Sequence, residues 1–371
     1  MNKLQEDRLY KKIAELIEHA RQKVATTINL TMVHTYFEIG KMIVEDEQRG
    51  KLRAEYGKAV LKDLSNRLTG SFGKGFSVEN LDRMRFFYKT YSRTISSTPL
   101  TKLENTKKQA ILQIHSVKSV SSYSTSFPKF VLSWSHYLIL MRIENPAERS
   151  FYELESFSCK WSLQDLKRQY HSSLYERLAL SRNKNEVIKL ANEGHVIEKP
   201  EDLLKNPLSL EFLGLEEHSA YSESDMERAI ISKLNNFLLE LGKGFLFEAR
   251  QKRFTFDEQH FYVDLVFYNR LLHCYVLLDL KIDKLTHQDL GQMQMYVNYY
   301  DRFVKQDYEK PTIGILLCKK KNNMLVELTL PKNANIYASE YTLYLPDKHL
   351  LQQKVAEWIQ EFKNLKGKKD L

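Results

Sequence analysis

The stretch Phe261–Lys284, FYVDLVFYNRLLHCYVLLDLKIDK, decides how this chain is read. Its two apolar runs have the length and residue types of buried strands joined by a short turn. Three ionisable residues interrupt them: Asp264, Asp279 and Lys281. A buried carboxylate costs several kcal/mol unless a cation or hydrogen-bond donors compensate it. The two acids therefore need a partner, and the nature of that partner is the functional question.

Side chains on a strand alternate faces. Asp264 is expected on one face of its strand, with Val263 and Leu265 on the other. Asp279 and Lys281 are two apart and share a face. If the strands are neighbours, all three groups converge. Two carboxylates and a nearby backbone carbonyl suit Mg²⁺, a hard cation that prefers oxygen, with Mn²⁺ as the alternative. Lys281 would orient a water and offset charge on a phosphate. The spacing D-x(14)-D-x-K is common by chance in α/β domains, so its surroundings carry the weight. Glu227 lies on the preceding helix, and Gln292 and Tyr296 lie four apart on the following one, hence on one face.

Around this hairpin the chain alternates helix and strand. A helix is expected over SESDMERAIISKLNNFLLELG, with Ser224 and Glu227 forming a capping box and Gly242 or Gly244 ending it. Strands follow near 245–254, 260–268 and 274–282, then a helix near 287–304. A strand TIGILLC follows Pro311, a late strand starts at Tyr341, and the chain closes on a helix with a basic tail. This order fits a mixed sheet flanked by helices.

The N-terminal half reads differently. Residues 4–48 show helical periodicity, with Gly40 as a bend and Gly50 as a stop. A helix near 54–69, a turn through Gly70, Gly73 and Gly75, and a second helix capped by Ser77 follow. Two helices around a glycine turn fit either a helix-turn-helix or an ordinary helical hairpin. In the first case Lys74, Arg83, Arg85 and Lys89 are available for phosphates. GSFGKGFS lacks the GxxxxGK[ST] spacing of a phosphate loop. Residues 93–127 are rich in Ser, Thr and Lys and read as a polar, linker-like insert. Helices resume beyond it, broken at Asn145-Pro146, and the aromatics Trp134, Tyr137, Phe151, Tyr152 and Trp161 are expected in a core. The resulting organisation is a multidomain α and α/β chain: a helical domain over 1–180, a linker over 181–221 and an α/β domain over 222–371.

The net charge of +9 is uneven: residues 1–200 carry +11 and the remainder −2. An excess of this kind favours a polyanionic partner such as nucleic acid. The three cysteines are far apart, show no zinc spacing, and are expected buried and reduced. No apolar run reaches the roughly 18 residues of a membrane span, and the charged N-terminus has no signal-peptide core. The chain reads as cytoplasmic.

The pattern Asp264 … Asp279-Leu280-Lys281, with Glu227 and the Gln292/Tyr296 pair, resembles the PD-(D/E)xK nuclease superfamily and its RecB-like branch. FYVDLVFYNRLLHCYVLLDLKIDKLTHQDLGQMQMYVNYYDR, YSESDMERAIISKLNNFLLELGKGF, KPTIGILLCKKKN and YTLYLPDK are similar to the YhcG-type PDDEXK nuclease family. AEYGKAVLKDLSNRLTGSFGKGFSVENLDRMRFFY and LSWSHYLILMRIENPAERSFYE resemble that family's N-terminal domain. The resemblance implies a restriction-endonuclease-like fold behind a helical, helix-turn-helix-type domain. It also implies a Mg²⁺-dependent phosphodiesterase acting on double-stranded or branched DNA, with catalytic roles for Asp264, Asp279, Lys281, Glu227, Gln292 and Tyr296, and Asp264 and Asp279 as metal ligands. Restriction–modification partners are a further implication of the resemblance, and a homodimer is expected because double-strand cleavage needs two active sites. Position 279 is Asp where the family usually has Glu, one methylene longer. Two rivals stand beside this reading: a DNA-binding or assembly protein that keeps the fold without turnover, and a nuclease directed at RNA.

Overall fold

The computed structural model describes residues 3–49, 54–92, 130–181, 184–205, 207–215, 221–320, 322–331, 334–345 and 347–367. The expected insert at 93–127 and the stop at Gly50 lie outside them. Two compact units emerge, Met1–Leu166 and Lys167–Leu371. Among the described residues no helix is long and apolar enough to cross a membrane.

The first unit is helical: α1 Lys3–Arg49, α2 Ala54–Phe72, α3 Val78–Tyr91, α4 Trp134–Leu140, α5 Pro146–Ser158 and the start of α6, Leu163–His171. Helix α1 is one continuous element that runs through Gly40. A Cβ at Gly40 would collide with the Met84 carbonyl, so glycine here lets the α3 backbone approach closely. Ile43, Leu61, Leu81 and Met84 form a buried cluster. Phe87, Phe130 and Tyr137 pack ring against ring with centroids 4.8–5.3 Å apart. The Ser77 hydroxyl accepts from Asn80 N and caps α3 as expected, and the Asn145 side chain caps α5 ahead of Pro146. Tyr137, Phe151, Tyr152 and Trp161 are buried as expected, whereas Trp134 is only partly buried.

In the second unit come α7 Leu174–Ser181, α8 Lys184–Glu193, β1 Leu208–Ser209, α9 Glu223–Ser232, α10 Leu234–Leu241, β2 Phe245–Phe256, β3 Gln259–Asn269, β4 Cys274–Lys284, α11 His287–Phe303, β5 Ile313–Lys320, α12 Asn323–Thr329, β6 Ile336–Thr342 and α13 Lys348–Gly367. The six strands form one sheet in the order β1-β6-β5-β4-β3-β2. β2, β3 and β4 pair antiparallel; β4, β5, β6 and β1 pair parallel. This is the mixed sheet expected from the alternating pattern.

Four local expectations need correction. The late strand spans Ile336–Thr342, so Tyr341 is near its end. The segment 181–221, read from sequence as a linker, carries α8 and β1, and β1 pairs with β6 through Leu208↔Tyr341. The capping box is Ser222/Asp225, two residues earlier than Ser224/Glu227, and the helix it opens breaks at Lys233. Cys159 is only partly buried, whereas Cys274 and Cys318 are buried.

Both sheet faces are covered. On one, Met226, Ile230, Phe237 and Leu241 pack against Leu265, Phe267, Leu278 and Leu280. On the other, Leu290, Met293, Tyr296 and Val297 pack against Val263, Val266, Leu277 and Leu316. A Cβ on Gly314 would press into Met293 at 2.7 Å, so this glycine sets how closely α11 lies on β5. Beneath α10 the fully buried Glu240 meets Arg177 Nη1 at 2.6 Å and Arg168 Nη1 at 3.3 Å. It also accepts from Ser209 N at 3.0 Å, while Lys205 donates to the Glu240 backbone carbonyl.

Candidate active site

The β3–β4 ladder runs to Leu265↔Leu278. One step further along that register sets Asp264 against Asp279. There the ladder gives way: the backbone N–H of Leu280 donates to Asp264 Oδ2 at 2.8 Å. Asp264 thus takes the place of a main-chain acceptor, which fixes its carboxylate between the strands. Val263 and Leu265 do not share a face as expected. Val263 packs under α11 and Leu265 under α9 and α10, so the strand's alternation switches at Asp264.

Asp279 is 4% exposed. Burial is the largest influence on it and the Asp264 charge the next; with a hydrogen bond between the two carboxyls, they push Asp279 up to about 7 against the pull of Lys281. Lys281 Nζ lies 2.8 Å from Asp279 Oδ2, and 3.7 Å from both Glu223 Oε2 and Asp289 Oδ1. Burial works against the ammonium, but Asp279, followed by Glu223 and Asp289, outweighs it and holds the Lys281 pKa above the ordinary lysine range. Glu223 is itself raised, by burial foremost and by the Asp264 charge.

Glu227, on α9, is buried and belongs to this site rather than to a cap. Its Oε1 meets Arg250 Nε at 3.1 Å, and its Oε2 accepts from Gln251 Nε2 at 2.6 Å. The same Gln251 nitrogen donates to Asp264 Oδ1 at 3.0 Å. On α11, Gln292 Nε2 donates to the Tyr296 hydroxyl at 2.6 Å. Burial and then the charges of Asp279 and Asp264 raise the Tyr296 phenol to about 12, which places it within their field. All six residues expected at the site from sequence therefore lie on the elements that border the Asp264/Asp279 pair.

Sequence reasoning missed Gln251, Arg250, Glu223 and Asp289. Gln251 was findable from register: Phe256 pairs with Gln259 across the two-residue turn Asp257-Glu258, and counting back from that turn sets Gln251 opposite Asp264. Asp289 was findable as the third residue of the capping box with Thr286.

The donor set suits a hard divalent cation. The buried Asp279 and the half-buried Asp264 face one half-buried ammonium, and the proximity of Asp264 already disfavours ionisation of Asp279. A cation between them would remove that penalty. Among the described residues no group of three or more His, Cys, Asp or Glu side chains has metal-holding geometry. Asp264 and Asp279 are the two oxygen donors that would hold such an ion.

The four basic residues of the expected helix-turn-helix lie in the first unit. Lys74 is exposed in the turn between α2 and α3. Arg85 meets Glu47 at 2.6 Å and Asp82 at 2.5 Å, and Lys89 reaches Glu47 at 3.5 Å. The two pairs with Glu47 hold α3 to α1, while the Asp82 pair lies within α3. Arg83 lies 3.7 Å from Glu79.

Residues 201–356 match the YhcG PDDEXK nuclease domain, and residues 12–177 match the DUF1016 N-terminal domain. The chain is 37% identical over 356 residues to "Putative nuclease YhcG" of Escherichia coli (strain K12), covering 91% of this chain and 90% of that one. It also aligns with the crystal structure of a repair endonuclease from Pyrococcus abyssi, at 20% identity and a TM-score of 0.23 over 35% of this chain and 50% of that one, a likeness too slight to bear on function. With an acid pair and an Asp-x-Lys triplet on adjacent strands and both family domains matched in order, the chain belongs to the YhcG family and carries its PDDEXK nuclease domain.

Proposed function

We propose that this protein is a Mg²⁺-dependent endonuclease that hydrolyses phosphodiester bonds in DNA. Nucleases of the PDDEXK class generally use divalent metal ions, and Asp264 and Asp279 are the residues that would hold one here. When bound, the ion supplies Lewis-acid stabilisation of charge on the phosphate and lowers the pKa of water. The remaining steps fall to the chain's own groups. Lys281 carries its positive charge to the scissile phosphate and orients the attacking water through its N–H donors. The water oxygen forms the new bond to phosphorus as the bond to the departing sugar oxygen breaks; the water's proton passes to solvent, and the sugar oxygen leaves with a proton taken from solvent. Tyr296, protonated at neutral pH, and Gln292 offer donors to phosphate oxygens. Glu227 acts from behind Asp264, through the Gln251 amide they share. The basic N-terminal half would supply salt-dependent phosphate contacts, with the exposed Lys74 the first candidate.

The observation that carries this reading is the meeting of Asp264, Asp279 and Lys281 across one strand pair. Its test is cleavage of supercoiled plasmid and of a branched DNA with Mg²⁺, Mn²⁺ or EDTA, comparing wild type with Asp264→Ala and Lys281→Ala. Metal-dependent cutting that both substitutions abolish supports it. An equal or greater rate on RNA would redirect it to an RNA substrate. No cutting with any metal, alongside tight and salt-sensitive DNA binding, would replace it with a binding role.

A further inference from the structure

We propose that Gln251 is a positioning residue of this site, the group that fixes Glu227 and Asp264 relative to each other so that Asp264 is set to take a cation. The proposal rests on the nuclease reading for its activity readout and on geometry for everything else.

Gln251 has φ +46, inside a strand. Only glycine adopts that region without strain, and a non-glycine residue there costs about 1 kcal/mol or more. Its neighbours Arg250 and Lys252 pair normally with Leu265 and Val263, so the departure is confined to the one residue opposite Asp264. It coincides with a switch in what β3 buries: Val263 packs on one face of the sheet and Leu265 on the other.

The strained conformation puts the carboxamide at the site. An ionised carboxylate only accepts, so the amide must offer nitrogen to both acids. Its two N–H groups are then used once each, on Glu227 Oε2 at 2.6 Å and Asp264 Oδ1 at 3.0 Å. With Leu280 N on Asp264 Oδ2 at 2.8 Å, both Asp264 oxygens are oriented, and each keeps a lone pair. Gln251 is itself exposed, so no packing need accounts for its strain. Partners of this kind, one step behind a metal ligand, typically contribute 10–100-fold in affinity or activity.

Glycine separates this role from a structural one, because Gln251→Gly removes the amide while relieving the backbone. The experiment measures, on the full chain, Mn²⁺ binding from the free-Mn²⁺ electron paramagnetic resonance signal, thermal unfolding, and plasmid cleavage against Mn²⁺ concentration. For Gln251→Gly the expected result is an unchanged or higher unfolding temperature. The Mn²⁺ midpoint rises about ten-fold or more and cleavage at limiting metal falls in proportion. Gln251→Gly with a Mn²⁺ midpoint within two-fold of wild type would overturn the proposal, as would a wild type that binds no Mn²⁺. If wild type binds Mn²⁺ but cuts nothing, the nuclease reading fails while the midpoint shift still decides the role of Gln251.

Discussion

Two buried acid sites in the second unit solve the same electrostatic problem in opposite ways. Under α10, burial works against the charge on Glu240, but Arg177 foremost, with Lys205 and Arg168, overrides it and holds the carboxyl down at about 2. At the strand pair, burial and the neighbouring Asp264 push Asp279 up to about 7, and Lys281 does not cancel them. The first site is closed: the chain supplies every charge it needs. The second carries a surplus of negative charge, with Glu223, Glu227 and Asp289 around it. A buried acid by itself says little about function. A buried acid whose lysine does not offset its burial and the neighbouring acid is what the cation site proposed above requires.

The contrast is broken most forcefully at Glu240. Replacing Arg177 with Met leaves a fully buried carboxylate without its closest cation and should cost about 3–5 kcal/mol, read as a large drop in the urea midpoint of the full chain. Adding Glu240→Leu to that variant should recover most of the loss. At the other site the same kind of deletion should act in reverse. Asp279→Asn removes a charge the fold resists, so the metal-free protein should be as stable as wild type or up to ~2 kcal/mol more stable, while DNA cleavage is lost.

Acid titration sharpens the difference. The folded-state pKa of Glu240 lies below its unfolded value. Its contribution is therefore complete above the ordinary glutamate range and disappears as pH falls toward about 2. The Asp279 pKa lies above its unfolded value, so the fold holds a proton there between about 4 and about 7. Stability should fall as pH rises through that window in EDTA and level off above it. Glu153 of the first unit is also raised to about 7, by burial against the pull of its hydrogen bonds from Tyr137 and Tyr91, and adds a slope of the same sign. Asp279→Asn and Glu153→Gln should each remove part of the wild-type slope in unfolding temperatures recorded from pH 4 to 8, with the raised Glu223 keeping a remainder of the same sign. The smallest expected effect lies away from both acids. Ser222→Ala deletes the cap of α9 and should cost about 1 kcal/mol, with thermal unfolding as the measure and the slope against pH unchanged.

Much of the site was legible because strands advertise their buried face. Asp264, Asp279 and Lys281 stand out as charges in apolar runs, and the period of two places Asp279 and Lys281 together. What was not legible depends on register and on ambiguous local signals. Gln251 sits in the charged run ARQKRF, where nothing in the alternation marks it. Its place opposite Asp264 follows only from the tight turn at Asp257-Glu258, where both residues have positive φ, 47° and 61°, without glycine or asparagine to announce it. Ser222-x-x-Asp225 and Ser224-x-x-Glu227 both fit a capping box. The fold takes the earlier frame, which frees Glu227 for the acid cluster. Strand β1 is two residues long and β6 begins in a polar-looking NIYASE, so neither has the length or alternation that marks a strand. The Arg177–Glu240 pair joins helices 63 residues apart, and helical periodicity says nothing about which helices meet.

The most direct test of the central claim is the unfolding temperature of wild type and Asp279→Asn with rising Mg²⁺ or Mn²⁺, at a fixed pH near 7.5. A ligand that binds only the folded state stabilises it in proportion to RT ln(1 + [L]/Kd). The account predicts a saturating rise for wild type and little or none for Asp279→Asn. Equal shifts in both proteins, or none in wild type, would show that the strand-pair acids are not a cation site and would contradict it.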